Sequence, residues 1–342
     1  MKVEKLQEIA SLITNKLDTD RKGVEKLSGD VMGIFLFGEV ISPYSKSPDM
    51  WNAAFEALRI HAYYQALDIP TESAVKKMMK IIRQDANCIG FNVGMPWKRF
   101  VLEQIPRLGG SIDESARKAG AVNTVVAREE MLVGYNTDGE GEIKNLKTVI
   151  PSFQGLSVLL VGAGGGARGV VPALLDAGVK RVTIANRTAE NSARLVAHLE
   201  KFYPANKLWT IEEQKIPQLV GSGVYDLVLN ASAKGQAEKP EEPYSSLAPT
   251  DVSPTENHQL SANALRVLKG KREDVVFADL IYNPVETPML QQAREAGFKT
   301  LNGKGMLVWQ AFLALSLMFT VDEPSSDVVK IMSDAFDKAS KV

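Results

Sequence analysis

Six consecutive residues, Gly162-Ala163-Gly164-Gly165-Gly166-Ala167, have the types and the spacing to cradle a phosphate. Glycines lack Cβ, so the backbone can turn tightly and approach a pyrophosphate. Amides opening a following helix, and its dipole, then face the negative charge. The spacing is G-x-G-x-x-A, whose last small residue lets helix and strand pack closely. The same pattern also serves as a tight turn with no ligand, so the next strand decides. It runs into Asn186-Arg187-Thr188, where an NAD site carries Asp or Glu for the ribose 2′-hydroxyl. An arginine pairs with a 2′-phosphate that a carboxylate would repel. The cofactor read here is NADP(H), and Glu190 nearby keeps NAD(H) open.

The elements that must position this turn are legible around it. Val158-Leu159-Leu160-Val161 predicts a buried parallel strand, and residues 169–177 a helix closed by Gly178. A second strand over 181–185 completes a βαβ unit of about 30 residues. Further strands are expected at 208–211, 225–230, 275–281 and 300–302, with helices at 289–296, 305–318 and 325–341. The earlier half alternates on its own account. Strands are expected at 32–37, 63–69 and 88–93, helices at 49–58, 72–84 and 97–105, and a hairpin turns around Arg128-Glu129-Glu130. Leu6, Ile9, Leu12, Ile13 and Leu17 predict an amphipathic first helix for packing or oligomerisation. Residues 236–259 carry four prolines and several acids, which predicts a long surface loop or partly disordered insertion.

Composition removes whole classes. A length of 342 residues suits two domains. A net charge of −1 leaves no electrostatic footprint for nucleic acid or an anionic membrane. The one cysteine, Cys88, excludes an internal disulfide, and its apolar setting reads as a small core residue. His61, His198 and His258 have no metal-ligand spacing, so no metal is expected. The first residues are charged throughout, unlike a secretory signal, and no run reaches the ~18 apolar residues of a membrane span. A cytoplasmic protein is expected.

Several further motifs fall in one order. They are Ser45-Lys46-Ser47-Pro48 with Asn52-Ala53-Ala54-Phe55, Asn92-Val93-Gly94-Met95-Pro96-Trp97-Lys98, Gly120-Ala121-Val122-Asn123-Thr124 and Gly134-Tyr135-Asn136-Thr137-Asp138-Gly139. Asn230-Ala231-Ser232, Asp279-Leu280-Ile281-Tyr282-Asn283-Pro284 with Thr287-Pro288, and Gly303-Lys304-Gly305-Met306-Leu307-Val308-Trp309-Gln310 complete the set. Together they resemble the shikimate dehydrogenase family and its quinate/shikimate relatives, over residues 33–318. The resemblance implies an α/β protein with a substrate-binding domain over 1–148, onto which 303–342 pack back. A Rossmann-like NADP-binding domain would span 149–302, with the active site in the cleft between.

By that resemblance Lys98 and Asp138 are catalytic, and Ser45, Ser47, Asn123, Tyr282 and Gln310 bind substrate. Gly162, Ala163, Gly164, Gly165, Gly166, Ala167, Asn186, Arg187, Thr188, Asn230, Ala231, Ser232 and Gly303 would line the cofactor. A ketone–alcohol interconversion needs a proton donor and acceptor beside the carbonyl oxygen, which a tuned lysine can supply. Serine hydroxyls aimed at a substrate carboxylate are sound donors. The implied activity is interconversion of 3-dehydroshikimate and shikimate with NADP(H), in aromatic amino acid biosynthesis, by a monomer or homodimer. A dehydrogenase of quinate or an amino analogue using NAD(H), and a dinucleotide-binding regulator without turnover, are the competing readings. Gly94 stands where the family usually has a threonine, Trp97 and Tyr44 where histidines are common, and Asn191 where a second basic residue often helps NADP.

Overall fold

The computed structural model describes residues 9, 11, 12, 14, 32–237, 243–319 and 326–340. The chain divides into two units: Met1–Thr137 with Val308–Val342, and Asp138–Leu307. Most of the first helix expected from the sequence lies outside the described residues. Ile9, at its centre, is fully buried in the core of the first unit.

The first unit is built on a six-stranded sheet of order β2-β1-β3-β5-β6-β4. Its strands are β1 Met32–Gly38, β2 Ala62–Asp68, β3 Cys88–Val93, β4 Ser111–Ile112, β5 Thr124–Arg128 and β6 Met131–Tyr135. β1 pairs in parallel with β2 and β3, whereas β5 runs antiparallel to β3 and β6. The near-continuous apolar run of β1 suits a central strand covered on both faces. Glu129 and Glu130 both have positive φ, 49° and 58°, as a two-residue hairpin turn requires. The helices are α1 Ser47–Leu58, α2 Glu72–Gln84, α3 Lys98–Arg107 and α4 Glu114–Ala119. α2 buries Val75, Met78, Met79 and Ile82 along one stripe, and Thr71 caps it by accepting from the Ala74 amide.

The second unit carries α5 Asp138–Leu146, β7 Ser157–Val161, α6 Gly165–Asp176, β8 Arg181–Asn186, α7 Ala189–Leu199 and β9 Leu208–Glu212. Then follow α8 Ile216–Ser222, β10 Leu227–Asn230, α9 Pro254–Lys269, β11 Val276–Asp279, α10 Pro288–Glu295 and β12 Lys299–Leu301. The strand order is β12-β11-β10-β7-β8-β9 and every pairing is parallel. Numbered within the unit that is 3-2-1-4-5-6 read from the other edge, the doubly wound order. Its switch point lies between β7 and β10. α11 Lys304–Phe319 and α12 Ser326–Ala339 end the described chain, and α12 packs on α1.

One sequence expectation is corrected here for the described residues: 243–259 are not all surface loop. Ser245, Ser246, Leu247 and Ala248 are buried, Asn257 holds the Ser245 amide and carbonyl, and α9 begins at Pro254. Composition does not show this, because Ser245, Pro249 and Thr250 meet their polar needs through the buried Asn257 and Glu213. Residues 238–242 lie outside the described residues.

Candidate active site

The glycine turn occupies the place the switch point reserves for a ligand. Gly162 leaves β7 with φ +108°, and a Cβ there would stand 2.8 Å from the Ala231 carbonyl group and the Ser232 nitrogen. Positive φ and close approach therefore both demand glycine. The turn is pinned to its neighbours. The Gly162 amide donates to the Ala185 carbonyl (2.7 Å), the Ala231 amide to the Val161 carbonyl (2.7 Å), and the Ala163 amide to Asn186 Oδ1 (3.1 Å). A Cβ at Gly164 would meet nothing within 4 Å, so open space lies beside the residue that caps α6. Gly166 and Gly303 are closely packed, the one against Leu280 Cδ1 and the other against the Leu280 carbonyl.

Asn230 shapes the second turn. It is fully buried; its Oδ1 accepts from the Ser232 amide and hydroxyl, and its Nδ2 donates to Asp279 Oδ1 at 3.0 Å. Asp279 in turn accepts from the Ile281 amide and the Thr287 hydroxyl. Thr188 sits at the cap of α7, and its carbonyl accepts from Asn186 Nδ2. Arg187 is exposed and lines a pocket of about 130 Å³ beside Gly162, together with Asn186, Ser232, Glu213 and Lys234. That volume is well below the ~300–1,000 Å³ of a site enclosing a whole small ligand, so it suits one part of a nucleotide. Asn191, where a second basic residue was looked for, accepts from Arg194 Nη2 at 2.7 Å, which places a further cation on α7.

In the first unit a chain of buried hydrogen bonds ties together residues read as substrate ligands. Ser47 lies beside the Tyr64 hydroxyl, which donates to Asn92 Oδ1 at 2.9 Å. Asn92 Nδ2 donates to Thr124 Oγ1 (3.0 Å), and the Thr124 hydroxyl to Asn123 Oδ1 (3.0 Å). Asn123 Nδ2 donates to Thr137 Oγ1 (3.0 Å), whose hydroxyl donates to the Gln310 carbonyl (3.1 Å). Burial drives the Tyr64 phenol far above its ordinary pKa, against a smaller opposing contribution from Ser47, so it stays a neutral donor. Ser45 is half-buried, and its Oγ accepts from the Ser47 amide. Ser47 itself is the first helical residue of α1 and not its cap. Thr124 and Thr137 stand inside the quoted motifs but carried no role there, and Tyr64, on β2, had no motif to announce it.

Lys98 is half-buried at the first residue of α3, and its carbonyl accepts from the Val122 amide, next to Asn123. It belongs to the first unit. Asp138, buried at the start of α5, and the half-buried Tyr282 belong to the second. Two departures gain physical explanations. The Gly94 amide donates to the Phe37 carbonyl at 2.6 Å, and a Cβ at 94 would stand 3.1 Å from that oxygen and 3.2 Å from Ile41 Cδ1. Ile41 thus occupies the side a threonine would need. Trp97 faces inward: it is 8% exposed, sits in the core cluster, and donates its indole N–H to the Ile69 carbonyl at 3.1 Å.

A doubly wound unit with this glycine turn, joined to a second α/β unit bearing a lysine and a buried hydroxyl–amide network, defines a dinucleotide-dependent oxidoreductase class. Comparison with known proteins narrows it. A family model described as "Shikimate dehydrogenase substrate binding domain" matches residues 36–125, and one described as "Shikimate / quinate 5-dehydrogenase" matches 144–220. The shikimate dehydrogenase (NADP(+)) of Bacillus licheniformis is 35% identical over 301 residues, covering 86% of this chain and 95% of that protein. Among solved structures, a shikimate dehydrogenase in complex with NADP+ has a TM-score of 0.74 at 30% identity, covering 90% of this chain and 96% of that one. Shikimate 5-dehydrogenase from Thermus thermophilus, in complex with NADP(H) and shikimate, has a TM-score of 0.70 at 28% identity, covering 90% and 99%. The chain belongs to the shikimate dehydrogenase family.

Proposed function

We propose that this chain is an NADP(H)-dependent shikimate dehydrogenase that interconverts 3-dehydroshikimate and shikimate. The observation that carries the reading is the Gly162 turn at the switch point with Arg187 after the next strand, alongside the Ser47–Asn123–Gln310 network in the other unit. Gly162 to Ala167, Ala231 and Ser232 form the cradle that a side chain would fill, and Arg187 supplies the cation for a 2′-phosphate. When bound, NADP(H) supplies or accepts the hydride.

The chain's own residues do the rest. Ser45 and Ser47 hydroxyls hold the substrate carboxylate. Asn123, Tyr282 and Gln310 orient the ring. Lys98 gives the proton to the carbonyl oxygen during reduction and takes it back during oxidation, and Asp138 orients the lysine. The domain assignment follows the same reading: 1–148 with 303–342 for substrate, 149–302 for cofactor. None of the described helices is long and apolar enough to cross a membrane. The proposal includes a cytoplasmic monomer or homodimer with no nucleic-acid partner.

The deciding experiment is a set of initial rates, read from nicotinamide absorbance, with shikimate and quinate each paired with NADP+ and NAD+. Fast turnover of shikimate with NADP+ is expected. Absence of turnover with both acids overturns the reading.

A further inference from the structure

Glu213 and Lys234 form a buried ion pair in the wall of the pocket that Arg187 lines. Lys234 Nζ donates to Glu213 Oε2 at 2.8 Å and to the Ala248 carbonyl at 2.9 Å. Glu213 Oε1 accepts from the Thr250 amide (2.9 Å) and hydroxyl (2.8 Å). Glu213 is 3% exposed and Lys234 6%. Glu213 follows β9, whose last residue Glu212 pairs in register with Asn186, the neighbour of Arg187. A carboxylate thus stands one strand away from the cation read as the 2′-phosphate site. Burial pushes the Glu213 carboxyl up, but the bonds from Lys234 and Thr250 outweigh it and hold the group below the ordinary carboxylate range. It is therefore a full negative charge, and Lys234 is its counter-ion.

We infer that Lys234 is a specificity-determining residue: by neutralising Glu213 it makes the pocket wall tolerant of a 2′-phosphate and so sets the preference for NADP(H) over NAD(H). The inference rests on the dinucleotide reading of this pocket. An uncompensated carboxylate here would oppose the doubly charged 2′-phosphate across a partly desolvated path, and would act far less on a ribose 2′-hydroxyl. Lys234 is also a strut between the turn after β10 and the segment that follows Ala248. Loss of the strut weakens both cofactors alike, whereas loss of the charge changes their ratio.

The test is direct binding of NADP+ and NAD+ by calorimetry to the whole protein, with Lys234→Met, Glu213→Gln and the double variant. Each protein's fold is checked by circular dichroism. Lys234→Met should lower the ratio of the NAD+ Kd to the NADP+ Kd about tenfold or more. Glu213→Gln, which keeps the shape and leaves the lysine charge, should hold the ratio at or above the wild-type value. The double variant should return toward wild type. Equal weakening of both cofactors in both single variants overturns the inference and leaves a structural strut. If Lys234→Met does not fold, a ratio in Glu213→Gln below that of the double variant overturns it instead. Wild-type protein that binds neither dinucleotide removes the cofactor reading and this inference with it, and is told apart by that arm alone.

Discussion

The lysine proposed to exchange a proton with substrate, Lys98, is the first residue of α3, half-buried, and its backbone carbonyl accepts from the Val122 amide. General acid–base groups contribute about 10²–10⁴-fold. Lys98→Met should therefore lower kcat by about that factor while KM for shikimate changes little, a split read from steady-state kinetics. An unchanged kcat removes the role. A second group has consequences that no motif announced. Glu142 on α5 is fully buried, and its Oε1 has no hydrogen-bond partner among the described residues. Burial first, and Asp279 second, push its carboxyl up to about 8, against the Asn145 bond; Asp279 is itself pushed up to about 7 by burial. The folded protein keeps protons that the unfolded chain releases at ordinary carboxylate pH. The contribution of these two groups is therefore fully present in acid and falls as pH rises from about 5 toward about 7 for Asp279 and about 8 for Glu142, by up to about 1.4 kcal/mol per pH unit for each group. Glu142→Gln should flatten that slope in denaturation midpoints measured from pH 5 to 9. A wild-type midpoint independent of pH over this range contradicts the buried acid. At this scale the buried network of Asn92, Asn123, Thr124 and Thr137 lies in stretches that motif spacing made legible. Glu142, Glu213 and Lys234 were not legible, because a charged residue reads as solvated until burial is seen.

Elements were read best where periodicity and punctuation agree. The βαβ unit, the hairpin at Glu129-Glu130 and the apolar strands fall where their patterns placed them, within a residue or a few. Helices α4, α5, α7, α8 and α9 have no counterpart among the helices expected from the sequence. Their apolar stripes are short or interrupted, and tertiary contacts complete them. α5 shows what such contacts demand. A methyl at Gly139 would run into the Gly169 carbonyl of α6 and stand 2.7 Å from Ala173 Cβ. The two helices meet backbone to backbone there, a constraint that glycine alone satisfies. Gly139→Ala should cost about 1–3 kcal/mol in chemical denaturation by overpacking, even though alanine is the better helix former. A stabilised variant means the helices can part without penalty.

At the scale of the whole molecule, the division places one unit as an insertion in the other. The chain leaves the first unit at Thr137 and re-enters it at Val308. Among the described residues, Asp138–Leu307 carries six strands that pair only with one another, and two apolar clusters made wholly of its own residues. The first unit lacks that self-sufficiency in its N-terminal segment. Lys46 Nζ donates to the Ala339 carbonyl, Arg128 Nη2 to the Leu317 carbonyl, and α12 lies along α1. Residues 138–307 expressed alone should therefore fold and bind NADP+, whereas residues 1–137 alone should not fold. Ligand at a hundred times its Kd adds about 2.7 kcal/mol to the stability of whatever binds it. A melting midpoint of the 138–307 fragment that rises with NADP+ and ignores shikimate is the expected result. A fragment without a cooperative transition would show that the inserted unit draws its stability from the segments on either side. The doubly wound sheet would then be a consequence of the whole chain and not of residues 138–307 alone.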